Sequence, residues 1–357
     1  MENPKVRQIF REVFINGTAL ISATVISSVF ILILGENPFA VFGTILSGTF
    51  GSLSGFSYTL FYTTPLIFTG LAVGIGFKCG FFNIGAEGQL YTGAFAAAWA
   101  GFTFSFLPGW ILIPFCIFIA MLAGGIWGWI PGYLKGRFGS HEVINTIMMN
   151  FIAIGIIGYF VSGPFMDKST ITPQTPLIAE HAQLPLLSEI TSPIGIDIPA
   201  AVPLNFSFII ALFVSFLVYI YIWKTIPGYE LRAAGASRSA AHSSGINIIK
   251  VTALTFAISG AIAGLVGVNE VLGYRHRFLM NFSPGYGYTG IAIALMGRNH
   301  PFGIILGAFL FGIITRGGLL IDVYYENLSK DIIYVFQGII ILFIAARSLS
   351  GFLKNKS

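Results

Sequence analysis

Residues 83–89 read Asn-Ile-Gly-Ala-Glu-Gly-Gln, which brings a carboxylate (Glu87), two side-chain amides (Asn83 and Gln89) and two glycines into one short segment. Such groups could carry a proton, exchange hydrogen bonds with a polar solute, or form a gate. The apolar run from Tyr58 to Phe77 precedes them and the run from Leu90 to Leu107 follows. A Glu at membrane depth costs roughly 2.5–3.5 kcal/mol and so requires a partner or a water-filled cavity. Glycines beside it favour an unwound backbone, which survives there only where it lines a cavity or is buried in protein. If the segment is helical, Asn83 and Glu87 share one face. A second polar group is Glu142, Asn145 and Asn150, in which Glu142 and Asn145 stand as an i,i+3 pair. Its asparagines suit hydrogen bonding between membrane helices, while Asn83 with Glu87 suits a pathway or its gate. The histidines at 141, 181, 242, 276 and 300 have no metal-ligand spacing, and no metal site is expected.

The elements that must position these groups are membrane helices. The 357 residues are 55% hydrophobic and 9% charged, against about 25% charged in a soluble domain. The fold class is therefore an all-α polytopic membrane protein, read as one domain over 1–357. Apolar stretches of about 20 residues are the unit of a membrane helix. Spans are expected near 14–34, 57–77, 86–107, 111–133, 143–163, 204–223, 250–270, 287–297, 302–320 and 331–346, the eighth being short enough to be a broken helix. The first run is longer than a signal-peptide core of about 7–15 residues and lacks a small-x-small cleavage site, so it reads as an uncleaved span. With both termini inside, 14 of the 19 basic residues fall on the cytoplasmic side, leaving Lys168, Arg275, Arg277, Arg316 and Lys330 on or near the other face. That bias follows the positive-inside rule. Cys79 and Cys116 sit in or beside apolar spans and suggest no disulfide framework, and the net charge of +5 does not imply nucleic acid.

Two connections are long. Residues 164–203 are proline-rich and expected outside, as an ordered cap or a plain spacer. Residues 224–249 are expected inside, where Ser237 can start and Gly245 can end a short Ala-rich helix. Small-residue helices of that kind suit docking into another protein's groove. An internal echo also stands out, since Tyr91-Thr92-Gly93 and Tyr288-Thr289-Gly290 each follow a glycine pair. Inverted repeats with broken helices are common in transporters.

The segments 83–89, Glu142–Asn150, Leu231–Ile246 and Gly287–Gly297 together resemble the permease subunits of bacterial ABC importers, in the branched-chain amino acid/ribose/nucleoside family. The first segment is most similar to the nucleoside (simple-sugar-like) uptake permeases. The resemblance runs from about residue 60 to near the end but leaves 164–203 without a matching motif. It implies a type II importer fold of about ten transmembrane helices with broken or half helices and inverted repeats. It also implies a coupling helix at 236–246, built from Ser237, Arg238, Ser239, Ala240, Ala241, His242 and Gly245, which docks on an ABC ATPase. His242 and Ser243 depart from the bulkier or charged residues often found there. The implied partners are ATPase subunits, a second permease that is typically a different chain, an external substrate-binding lipoprotein and membrane lipid. The chain has no Gly-Lys dipeptide and so no phosphate loop. No cofactor is expected on it, ATP and Mg being used by the ATPase.

The expected function is half of an ATP-driven translocation pathway for nucleosides or related small polar solutes, in the bacterial plasma (inner) membrane. Asn83, Glu87, Gln89, Asn145, Asn150 and Tyr288 are the candidates for lining or gating it. Sugars and branched-chain amino acids are alternative cargoes. A different class, a secondary transporter with Glu87 as proton carrier, needs no ATPase, and a structural or assembly protein is a third reading.

Overall fold

The computed structural model describes residues 21–195, 197–329, 334–340 and 342. The N-terminal cations Lys5, Arg7 and Arg11, both termini, Lys330, Arg347, Lys354 and Lys356 lie outside the described residues, as does half of the expected span at 331–346, of which 334–340 and 342 are helical. The described helices are α1 (Ile21–Ile33), α2 (Pro38–Phe50), α3 (Leu53–Lys78), α4 (Ala86–Thr103), α5 (Gly109–Phe138), α6 (Glu142–Ser162), α7 (Leu187–Thr191), α8 (Ser207–Lys224), α9 (Ile226–Ala236), α10 (Arg238–Ser243), α11 (Ile248–Gly264), α12 (Tyr286–Met296) and α13 (Pro301–Tyr324). Beyond α11 the helix widens into a π-helical stretch, Val268–Arg275. Among the described residues six helices are long and apolar enough to cross a membrane, or seven if the bent pair α1–α2 counts as one. Helix α4 has the length but not the hydropathy. It is rich in Ala and Gly because most of it is enclosed by other helices rather than by lipid.

The chain divides into two compact units, residues 1–62 with 309–357, and residues 63–308. In the first, α1 and α2 bend by 118° around Gly35, at φ +84°, and Asn37, whose side chain accepts the Phe39 N–H while Pro38 opens α2. Ile31, Val41, Ile321 and Leu328 form its buried cluster. Helix α2 has no counterpart among the expected spans, being too short to cross. Arg316 stacks 4.4 Å over the Tyr58 ring.

In the second unit the packing is between small residues. Gly124, Gly128 and Gly132 recur every four residues on α5 and meet Phe256, Gly260 and Gly264 of α11, where a Cβ on Gly132 would come 2.6 Å from the Phe256 Cβ. Close backbone approach of this kind is how membrane helices gain dispersion contacts where lipid supplies no hydrophobic drive. Helix α6 is apolar outward and polar inward. Its Ile144, Met148, Phe151, Ile152, Ile156 and Tyr159 are exposed, while Thr146, Asn150, Ala153, Ile157 and Val161 are buried. That inverts the pattern of a soluble amphipathic helix and is what a lipid-facing helix needs.

The 164–203 connection is an ordered cap. Thr175 N–H donates to the Phe278 carbonyl, Leu184 N–H to that of Leu272, and Leu187 N–H to that of Leu204. Asp167 accepts from the Ser169 hydroxyl at 2.7 Å and its N–H at 3.0 Å, with the Arg277 guanidinium 3.7 Å away. The two Ser169 bonds foremost, and then the Arg277 charge, hold the Asp167 carboxyl below its usual range. A depressed carboxylate stabilises the fold above its unfolded pKa, about 3.9, and that contribution disappears as pH falls through the lower folded value. Acidification below about pH 4 is therefore expected to raise hydrogen exchange of residues 167–175. Asp167→Asn should already show the raised exchange at neutral pH and lose the acid step.

Candidate functional site

Helix α4 starts only at Ala86, so Asn83 and Glu87 do not share a helical face. Each finds a different partner. The Asn83 amide donates to Gln89 Oε1 at 3.0 Å and to Ser259 Oγ at 2.7 Å, and its Oδ1 accepts the Gly85 N–H at 3.0 Å. The Ser259 hydroxyl in turn donates to the Ala72 carbonyl at 2.6 Å. The α3–α4 turn is thus tied to α11 and back to α3. Asn150 reaches across from α6, accepting the Gly88 N–H at 2.8 Å and donating to the Ile84 carbonyl at 2.9 Å and to the Tyr288 hydroxyl at 3.4 Å. Buried amides with every strong bond made rigidify a unique arrangement.

Glu87 lies in the first turn of α4 and bonds the first turn of another helix. Its Oε2 accepts the Gly287 N–H of α12 at 2.7 Å, and the Ser283 hydroxyl also bonds the carboxylate. Two helix starts therefore converge on one carboxylate, whose charge faces aligned N–H dipoles. Gly287 permits it, because a Cβ there would sit 2.8 Å from the Glu87 Cα. Asn83, Glu87, Gln89 and Asn150 are all at most 4% exposed, whereas Tyr288 is 45% exposed and offers an aromatic face beside them. Asn145 stands apart, bonded to Ser140 Oγ, and Glu142 pairs with Lys135 at 2.8 Å rather than with Asn145.

The sequence reading passed over Ser259, Ser283, Asn205, Ser207 and Asn269, whereas the place of Glu270 near the outer end of its span suits snorkelling or an ion pair. Ser259 and Ser283 are single hydroxyls in unremarkable runs. In the π-helical stretch, Asn269 Oδ1 accepts from Ser207 Oγ at 2.8 Å and Asn205 Nδ2 at 3.3 Å, and Glu270 accepts from Arg275 Nε at 3.2 Å. Adjacent Asn269 and Glu270 at the end of an apolar run were the available signal, and π-bulges often occur at functional sites.

Residues 224–249 form two helices instead of the single short one expected at 236–246. Thr225 caps α9, and Ser237, extended at φ −159°, ends it and caps α10. Gly235 packs on the Lys78 and Cys79 backbone, where a Cβ would stand 3.0 Å from the Cys79 carbonyl carbon. The Arg238 guanidinium lies 4.2 Å over the Phe81 ring, which in turn contacts Phe256. Ser237, Arg238, Ser239, Ala240, His242 and Gly245 are exposed, and Ala241 is buried. A presented helix is thereby fixed by its flank to the same 78–85 turn that leads into Glu87. Among the described residues no group of three His, Cys, Asp or Glu could hold a metal ion, and both cysteines are free and buried.

Residues 55–345 match the family described as branched-chain amino acid transport system / permease component. The guanosine ABC transporter permease protein NupP of Bacillus subtilis is 36% identical over 345 residues, 95% of each chain. The glucose ABC transporter permease protein TsgB13 of Haloferax volcanii is 32% identical, covering 91% of this chain and 85% of its own. The nucleoside ABC transporter permease protein NupB of Lactococcus lactis is 31% identical, covering 94% and 92%. No solved structure matches.

Proposed function

The chain belongs to the branched-chain amino acid transport system permease family, and from that premise we propose that it forms half of the membrane pathway of an ABC importer for nucleosides or related small polar solutes. It is a transporter subunit and not an enzyme. The nucleoside assignment is supported by two relatives, a guanosine and a nucleoside ABC transporter permease, that span nearly all of this chain. The glucose permease among them keeps sugars as the alternative cargo.

In this reading the chain crosses the membrane in about ten spans. Helices α4 and α12 are the half-helices of an inverted repeat, each starting after a glycine (Gly85, Gly285). Both termini and the α9–α10 segment lie in the cytoplasm, in accord with the distribution of Lys and Arg. ATPase subunits using ATP and Mg, a second and different permease chain, and an external substrate-binding lipoprotein complete the machine. The observation that carries the proposal is the link from Arg238 through Phe81 to the Asn83–Glu87 turn. Movement of α10 under a closing ATPase pulls that turn, and with it the meeting of α4 and α12. Asn83, Glu87, Gln89 and Asn150 then act as the gate's frame, and Tyr288 stacks with passing solute.

The test is Arg238→Glu combined with Ala241→Glu. Co-purification of the ATPase subunits is expected to fall about tenfold, the equivalent of about 1.4 kcal/mol, with loss of solute uptake in proteoliposomes. Normal assembly would count against the proposal. Uptake abolished by a protonophore but indifferent to an ATPase-dead partner would instead favour the proton-coupled reading.

A further inference from the structure

A second cluster of charge has no place in that mechanism. Lys78, the last residue of α3, lies 5.5 Å over the Trp223 ring. The charges acting on it come from Arg298 and Arg232, both cationic, and among the described residues no carboxylate stands within ion-pair distance of it. Arg232 Nε is buried without an acceptor. His300, in the α12–α13 turn, is held below its ordinary pKa by burial and then by the Lys78 charge. Around these cations the rings of Tyr219, Trp223, His300 and Phe302 form a contiguous wall, with centroids 5.3 Å (Tyr219–Trp223), 4.9 Å (Trp223–His300) and 5.6 Å (His300–Phe302) apart. The turn behind them holds two successive non-glycine residues, Arg298 and Asn299, at φ +56° and +55°. Strain of this kind persists only where surrounding structure imposes it, and it concentrates at ligand clamps.

We propose that this cluster is a binding site for the phosphate headgroup of an anionic phospholipid. Lys78 and Arg232 take the phosphate, and Trp223 and Phe302 seat the glycerol backbone at the membrane interface. Lys78 and Arg232, neither of which has a carboxylate within ion-pair distance among the described residues, call for an anion, and Arg presents to phosphate a donor fork of matching geometry. Lipid is favoured over an acidic protein because the cluster lies at the ends of the apolar helices α3, α8 and α13. Exposed Phe302 and Leu306 lie on α13 and exposed Ile226 opens α9, and acyl chains would cover them. Aromatic residues and basic pockets are the recognised means by which membrane proteins hold anionic headgroups. The inference rests on the cytoplasmic placement of these chain ends proposed above.

The full chain, purified in detergent with its partner subunits, is tested by native mass spectrometry against phosphatidylglycerol and phosphatidylcholine. Phosphatidylglycerol should be retained at least about fivefold better. Lys78→Gln with Arg232→Gln should abolish that preference, and Lys78→Arg with Arg232→Lys should restore it. Millimolar inorganic phosphate should leave the lipid in place. Equal retention of the two lipids by the parent protein overturns the proposal, and so does release by inorganic phosphate alone; neither measurement depends on a variant folding. Loss of the ATPase from the Gln variant with lipid retention unchanged would assign the cluster to an acidic protein surface and likewise overturn it. Solute uptake is read separately, so absence of uptake with lipid preference intact would count against the transport proposal alone.

Discussion

Glu87→Ala is expected to abolish solute uptake, while Glu87→Gln keeps about a third of it, a barrier change below 1 kcal/mol. The reason is the bond that Glu87 Oε2 accepts from the Gly287 N–H. An amide oxygen is an acceptor of nearly the same size and position, so Gln still joins the starts of α4 and α12. Alanine leaves a buried N–H without an acceptor, which costs about 1–3 kcal/mol, and removes the carboxylate that bridges the two helix starts. Melting in detergent should fall by several degrees for Ala and by little for Gln. The proton-carrier reading requires no such difference in transport, because an amide cannot titrate: Gln would then be as inactive as Ala. Uptake by the two variants in proteoliposomes, compared at matched protein levels, separates the two.

Gly260→Val should prevent α5 and α11 from closing. A Cβ on Gly260 would run into the Gly124 carbonyl oxygen, and one on Gly124 would meet that of Gly260. Overpacking ordinarily costs about 1–3 kcal/mol. Here the obstructing atoms are backbone carbonyls, which cannot rotate aside as a flexible side chain can. The consequences reach the site, because a Cβ on Gly124 also stands 3.2 Å from the Gln89 carbonyl oxygen. Fluorescence-detected size exclusion should show little monodisperse protein, and the remainder should melt well below the parent. Gly155→Ala is the control. Nothing lies within 4 Å of a Cβ at that position, and Ala is the better helix former by about 1 kcal/mol. A Gly260→Val protein melting within a degree of the parent would refute the packing argument.

Much of this protein could be read in its residues. Spans expected at 111–133 and 143–163 are the helices Gly109–Phe138 and Glu142–Ser162, because sustained apolarity has no other stable use. The α1–α2 bend was signalled by Gly35-Glu36-Asn37-Pro38, a helix stop followed by a cap and a helix-opening proline, yet α2 went unassigned because length alone was applied to it. Within the 236–246 segment Ser237 caps a short helix as its residue type suggests, but that helix runs only Arg238–Ser243. Its companion α9 was not foreseen, since the break at Ser237 comes with Gly235 packing on the Lys78–Cys79 backbone, a contact far away in sequence.

The buried polar groups mark the division most clearly. Composition and residue order determine that this is a helical membrane protein of the permease family, and that Asn83, Glu87, Gln89 and Asn150 must be satisfied inside it. Periodicity reports only on neighbours within a turn or two of the same helix. It suggested pairing Asn83 with Glu87 and Glu142 with Asn145. The tertiary structure instead joins Glu87 to Gly287, 200 residues away, Asn83 to Ser259, and Glu142 to Lys135. A buried acceptor takes whichever donor the packing brings within about 3 Å. Which donor that is depends on the glycines that let distant backbones approach, and only the folded chain decides it.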